Sequence, residues 1–395
     1  MVGAVSASYQ LVHASRQLAF ASLGFVSLGL PEGLLGVAWP SIRASFGLPL
    51  DALGLLLATF ACGYFASSAA SGRLIGRFTI GSVLAVACAL TGTCLLGYSL
   101  APSWATMVAL GLALGVGAGT IDAGLNTYAA MAHGPRVLNW MHAAFGIGAA
   151  VGPLIMTAIL ASGLSWNIGY LLVAVAQLSL ATAYWLTRQA YATTAPASAT
   201  TAAASVRRNL FTQPVVWLSL AIFVVYVGAE AGAGQWSYSL FTLSRNTPAA
   251  VAGVLVSAYW ASLTVGRILF GALASRISST ILLRAVMLLS ILAAGLIWLN
   301  VPPLSWLALA LLGLSFAPIF PVLIADTPKR LGQDQAANVI GLEVAAAVVG
   351  GAALPAVLGV FAARFTLEVV PPALVLAALM QLGLHEVLAR ATPEP

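Results

Sequence analysis

Charge is what this chain has least of. Its 395 residues include 16 Lys and Arg and 10 Asp and Glu, 7% of the whole. Soluble proteins carry about 25%, so there is too little charge here to cover a water-facing surface. Cysteine is also scarce: Cys62, Cys88 and Cys94 lie in apolar text without metal-ligand spacing, so they read as small buried residues rather than a metal site. No glycine-rich phosphate loop is visible, and no His/Glu cluster has catalytic metal spacing. ATP-driven transport and hydrolysis within this chain are therefore not expected, and neither is a cofactor. The net charge of +6 does not point to nucleic acid, because the arginines fall in short loops.

Apolar residues are what is there: 61% of the chain, with a mean hydropathy of +1.00. In hydrocarbon every backbone N–H and C=O must be paired internally, which leaves helices or closed barrels. The apolar runs are about 20 residues long, the length that crosses a bilayer as a helix, so an all-α membrane protein is expected. Twelve spans are predicted. The first six are at about 17–40, 50–72, 79–100, 103–131, 138–162 and 166–188. The last six are at about 214–240, 249–275, 280–300, 303–325, 336–362 and 369–390. Between them, residues 189–213 are rich in Ala, Thr and Ser and read as a cytoplasmic linker. The expected domains are a six-helix half over 1–188 and another over 214–395. The first apolar segment is too long for a cleaved signal.

Orientation follows from the cations. With the N-terminus inside, Arg16, Arg73, Arg77, Arg136, Arg188, Arg207, Arg208, Arg276, Arg284, Lys329, Arg330 and Arg390 fall on the cytoplasmic side. Arg43, Arg245 and Arg364 fall on the other, and Arg267 lies within the eighth span near its inner end. That bias places both termini in the cytoplasm, in the plasma (inner) membrane.

The two halves repeat each other. Gly72-Arg73-Leu74-Ile75-Gly76-Arg77 after the second span recurs as Gly271-Ala272-Leu273-Ala274-Ser275-Arg276 after the eighth, 199 residues on. Glu32 and Glu230 are 198 residues apart. Two agreeing offsets about a central linker predict duplicated halves related by an axis along the membrane normal.

The paired G-x-L-x-x-R pattern resembles the cytoplasmic loop motif of the major facilitator superfamily of transporters. Within it, Tyr226-Val227-Gly228-Ala229-Glu230 with Gln235-Trp236 resembles the seventh helix of the fucose–proton symporters. Ile121-Asp122-Ala123-Gly124-Leu125-Asn126 is similar to that family's fourth helix. One departure stands out: the motif places an acid just before its Arg, and here Gly76 and Ser275 stand there. The charge latch usual at the inner gate therefore lacks its acid. Arg73, Arg77 and Arg276 read as topology anchors and inner-gate contacts.

Four acids fall well inside predicted spans: Glu32, Asp122, Glu230 and Glu343. Each costs about 2.5–3.5 kcal/mol at a helix centre, on the order of 10–14 kcal/mol together. That rivals the whole stability of a folded domain, about 5–15 kcal/mol, so the four must be protonated, paired or wet. Asp122 and Asn126 share a helical face. Asp122 reads as a proton carrier with Asn126 contacting substrate, or else as a structural acid bonded to a neighbouring helix. The resemblance adds a coupling role for the fourth-helix acid.

Glu32 sits between Pro31, which removes a backbone donor, and Gly33, as in the broken helices that line transporter sites, with Trp39 on the same face. It is a second coupling candidate, or an acid facing water near the outer mouth. Glu230 is a third, with Tyr226 and Trp236 as sugar-facing aromatics or as packing residues. Glu343 lines the cavity or pairs with Arg267, and Asn139 and His142 share a face as further substrate contacts or packing groups.

The expected function is proton-coupled symport of a small polar solute such as a sugar, with Na+ also suited to the same carboxylates. The alternative is a proton-coupled antiporter exporting drugs or metabolites. No nucleic-acid partner and a functional monomer are expected.

Overall fold

The computed structural model describes the backbone of residues 2–132, 135–191, 210–273 and 276–391. Side chains are described within these ranges apart from 2–17, 69, 71–73, 75–76, 130–132, 135–139, 190–191, 271–273, 333–334 and 337. The central stretch 192–209 of the expected linker thus lies outside the described residues, as do the side chains of Arg73 and Asn139.

Among the described residues every regular element is helical. The first six long helices are α1 (Val2–Phe46), α2 (Leu53–Arg77), α3 (Ile80–Ser99), α4 (Trp104–Ala132), α5 (Pro135–Ala161) and α6 (Trp166–Thr187). They are followed by α7 (Pro214–Ser239), α8 (Ala249–Leu273), α9 (Ser279–Trp298), α10 (Leu304–Phe316), α11 (Ile319–Leu331), α12 (Gln333–Arg364) and α13 (Val370–Ala391). α10 and α11 together make one crossing, so twelve crossings are long and apolar enough to span a membrane.

The termini share one end of the bundle, the terminal end. Turns at 47–49, 100–103, 162–165, 245–248, 299–303 and 365–366 form the far end.

Two expectations about helix breaks are corrected. The first helix does not break at Pro31 and Gly33; α1 runs through Pro31 and Pro40 unbroken. Its wall is α5, packed backbone to backbone: a Cβ on Gly33 would meet Ala149 O at 2.3 Å, and one on Gly148 would meet Val26 O at 2.1 Å. A helix held this closely keeps its course across a missing donor. For the tenth crossing the sequence predicts one helix over 303–325. It breaks at Ala317 and Pro318 and continues to Leu331, because Pro318 has no N–H to continue the ladder and its ring crowds the preceding turn.

The sequence repeat has a structural echo. A Cβ on Gly115 of α4 would stand 2.0 Å from Phe60 O of α2, and one on Gly313 of α10 would stand 2.2 Å from Tyr259 O of α8. The α1–α5 contact of Gly148 on Val26 O recurs as Gly350 of α12 on Val224 O of α7, again at 2.1 Å. Bare-backbone contacts of this kind let helices associate where lipid offers no hydrophobic drive.

The first six crossings meet the last six through α5 on α8, α2 on α12 and α1 on α7. Near the far end a Cβ on Gly36 would lie 2.8 Å from Gly234 O, one on Gly54 would lie 2.8 Å from Ala356 Cβ, and one on Gly253 would run into Thr157 Oγ1. Ser257 Oγ donates to Ala150 O at 2.6 Å. The far end is closed by interlocked small residues.

Candidate functional site

Desolvation makes the interior carboxylates the first groups to place. On α4, Asp122 accepts a hydrogen bond from Tyr64 of α2, Oη to Oδ2 at 2.8 Å. Asn126 lies one turn on and is half-buried. Glu32 on α1 is half-buried too, and among the described residues no hydrogen bond or ion pair reaches its carboxylate. The charges that act on it come from across the bundle, Glu230 and Arg267. His142 on α5 packs its ring on Phe25 at 5.0 Å between centroids and stands within electrostatic reach of both Asp122 and Arg267.

The second set of crossings supplies a tighter arrangement. Tyr226 donates to the carboxylate of Glu230, one turn on along α7, and its oxygen also lies 3.2 Å from Phe316 O at the break of the tenth crossing. Tyr259 of α8 donates to the backbone oxygen of Glu230 at 2.8 Å. Arg267 of α8 approaches the other carboxylate oxygen of Glu230 at 3.6 Å, close enough for an ion pair but too long for a good hydrogen bond. Arg267 keeps 20% and Glu230 12% of their side-chain surface exposed. Neither side chain is sealed.

Glu32, Asp122 and His142 therefore gather with Glu230 and Arg267 into one electrostatically connected cluster, drawn from α1, α4, α5, α7 and α8. Three carboxylates face one guanidinium and one imidazole.

The other expected site residues fall elsewhere. Trp236 is fully buried and donates Nε1–H to Pro355 O at 2.9 Å, binding α7 to α12. Trp39 is also fully buried, tilted on Trp104 at 5.7 Å. Glu343 pairs with neither Arg267 nor an open surface: it is 0% exposed and takes hydrogen bonds from Ser219 and Thr327. Arg77 and Arg276 are exposed at the terminal end.

Two partners escaped the sequence reading, and a third, Arg267, was expected on Glu343 but pairs with Glu230. Tyr64 and Tyr259 carry no local signal, since each bonds across helices. Arg267 did carry one: it is a cation within the eighth predicted span, and a buried cation calls for an acid.

The sequence profile of the Major Facilitator Superfamily matches residues 21–355. A curated relative from Saccharomyces cerevisiae, Bypass of stop codon protein 6, is 23% identical, over 88% of this chain and 77% of its own. Among solved structures, the fold is similar to a bacterial homolog of the human lysosomal transporter Spinster in an inward-facing, occupied conformation. There the TM-score is 0.78 and the identity 13%, with 96% of this chain and 97% of that one covered. It is also similar to the E. coli fucose:proton symporter, with TM-score 0.64 and 17% identity over 94% and 98%. At such identities these likenesses speak for the fold alone. The profile, spanning most of the chain and joined to twelve apolar crossings, decides the family: this protein is a multi-pass membrane protein of the major facilitator superfamily, a family of transporters rather than enzymes.

Proposed function

We propose that this protein is a proton-coupled symporter of a small polar organic solute, a sugar foremost, that works by alternating access between two six-helix halves. The observation that carries this reading is the Tyr226–Glu230–Arg267 cluster, with Glu32, unpaired among the described residues, facing it from the other half. A loosely held ion pair next to a free carboxylate has two ways to reach neutrality. Glu230 keeps Arg267 while Glu32 carries the proton, or Glu230 carries the proton and releases Arg267 to Glu32. A solute that binds one of these arrangements better shifts the balance between states.

In this reading Glu230, Glu32 and Asp122 share the proton. Tyr226, Asn126 and His142 present hydroxyl, amide and imidazole groups to the solute, and Arg267 joins them. Arg73, Arg77 and Arg276 act at the inner gate. With both termini in the cytoplasm of a plasma-membrane protein, the closed far end is the outer end, so the described arrangement corresponds to an inward-facing state. The resemblance to fucose–proton symporters around Asp122 and Glu230 supports sugar as the cargo class.

Proton movement in proteoliposomes with a trapped pH dye tests this directly. Internal acidification on adding one monosaccharide, lost in Glu230→Gln and in Asp122→Asn, is the expected result. Proton release driven by a lipophilic cation would sink the symport reading and favour the exporter.

A further inference from the structure

The C-terminal half encloses a carboxylate that the central cluster does not use. Glu343 on α12 is 0% exposed, and the two side chains that bond it, Ser219 of α7 and Thr327 of α11, are each 1% exposed. Ser219 bonds Oε1, and Thr327 Oγ1 lies 3.0 Å from Oε1 and 2.9 Å from Oε2. Toward the terminal end it is covered by an apolar layer: Leu210, Val216 and Val339, with Leu220 and Leu331 against them. Among the described residues the charge that acts on Glu343 is that of Arg330 on α11, which is itself paired with Asp326 at 3.6 Å. Among the described residues no cation reaches ion-pair distance of Glu343. Its shell is hydroxyl and hydrocarbon.

An ionised carboxylate in such a place is expensive, because two neutral donors do not repay the lost hydration of a full charge. Counting hydrogens shows what relieves it. Thr327 has one hydroxyl hydrogen and two acceptors in reach, Glu343 and Leu323 O at 3.1 Å. If Glu343 is ionised, Thr327 must give that hydrogen to the carboxylate, and the contact with Leu323 O goes unused. If Glu343 carries a proton on Oε2, that proton goes to Thr327 Oγ1, the Thr327 hydrogen goes to Leu323 O, and Ser219 still donates to Oε1. The neutral form makes one more hydrogen bond with the same atoms, and every polar atom has a partner. A sodium ion fits less well: Thr327 Oγ1 already occupies the fork of the carboxylate, so an ion bound there would have to displace it.

We propose that Glu343 is a second proton-binding site, which holds its proton in the described arrangement and so ties α7, α11 and α12 together. The chemistry is the reversible uptake of one proton from water by a carboxylate, with no other bond made or broken. Its place gives the proton consequences. Ser219, Tyr226 and Glu230 are spaced seven and eleven residues along α7 and so share one face. Ser219 is thus about 16 Å along the same helix from Glu230. Loss of the proton leaves a charge that must find water, which prises Ser219 and Thr327 from Glu343 and frees the terminal-end part of α7 from α11.

The test reads the proton itself, and so stands apart from any transport assay. Infrared spectra of the full-length protein in lipid nanodiscs are recorded across a pH series in potassium buffer. The expected result is a protonated-carboxyl C=O band that Glu343→Gln removes and Glu230→Gln leaves in place. Ser219→Ala, which spares the carboxyl but deletes one bond to its carbonyl oxygen, shifts that same component to higher frequency. Glu343→Gln is expected to fold, since its amide donates to Thr327 as the acid does. If it does not, the Ser219→Ala shift decides. An unchanged band in Glu343→Gln, or no shift in Ser219→Ala, overturns the proposal. Bleaching of the component when sodium replaces potassium at constant ionic strength also overturns it, in favour of a metal-ion site.

Discussion

Arg267 on α8 faces Glu230 on α7 at 3.6 Å, while Tyr226 holds the opposite oxygen of the same carboxylate. Among the described residues the guanidinium is the one Lys or Arg group in this cluster, and Glu32 and His142 both feel its charge. Removing one member of a buried pair costs about 3–5 kcal/mol. The partial exposure of both side chains brings the expectation here to about 2 kcal/mol. Arg267→Gln should therefore lower the thermal midpoint in detergent more than the double variant Arg267→Gln/Glu230→Gln, which leaves no orphan charge. Equal loss in the two would show that Arg267 and Glu230 do not stabilise each other.

Packing explains why so much of the fold was legible from residues alone. Span positions follow from apolar length, and the predicted limits of α3 and α6 agree with the structure to within a few residues. The site was legible only in part. Asp122 and Glu230 announce themselves by the cost of burying charge, but their partners Tyr64 and Arg267 come from other helices at no fixed spacing. Glu343 could be recognised as buried but not as enclosed, because Ser219 and Thr327 are unremarkable residues until α7 and α11 meet around it. The break at Pro318 was missed because one long apolar run covers both α10 and α11.

The backbone contacts between glycine and carbonyl predict a sharp contrast among glycine substitutions. Gly115→Ala would drive a methyl to 2.0 Å from Phe60 O, a backbone atom that cannot rotate away. A Cβ on Gly383 of α13 meets nothing within 4 Å. Gly115→Ala is expected to abolish a monodisperse peak in size-exclusion chromatography. Gly383→Ala should be neutral or raise the midpoint, since alanine is favoured in helices by about 1 kcal/mol. Comparable behaviour of the two would mean that α2 and α4 are not packed as described.

At the far end Arg245, just past α7, reaches the turn before α13. Its Nε and Nη2 bond the two oxygens of Glu368 at 2.9 and 2.7 Å, and Nη1 bonds Ile297 O at 2.9 Å. The Arg245 side chain is 3% exposed and that of Glu368 35%. This planar fork cannot be copied by an ammonium. Arg245→Lys and Arg245→Ala should both destabilise, by about 1 and 2 kcal/mol respectively. Unfolding by denaturant, monitored by tryptophan fluorescence, would measure the loss. A lysine variant as stable as the parent would mean that only charge matters here.

Alternating access requires the far end to part, and Gly54 with Ala356 offers a place to prevent it. A Cβ on Gly54 of α2 would lie 2.8 Å from Ala356 Cβ of α12, whereas a disulfide spans about 3.8 Å between Cβ atoms. Cysteines at both positions need only a small separation of the helices to bond. Cys62, exposed on α2, would first be replaced by serine to avoid competing pairs; Cys88 and Cys94 are buried. In Gly54→Cys/Ala356→Cys, mild oxidation should form the bond in nearly every molecule and arrest solute-driven proton movement. Reduction should restore it. Because the link lies at the far end, away from Glu230 and Arg267, solute binding measured at equilibrium should survive oxidation while turnover stops. A protein that bonds fully yet continues to turn over would show that the far-end contact stays closed throughout the cycle, and the rocking of one half against the other would have to be abandoned.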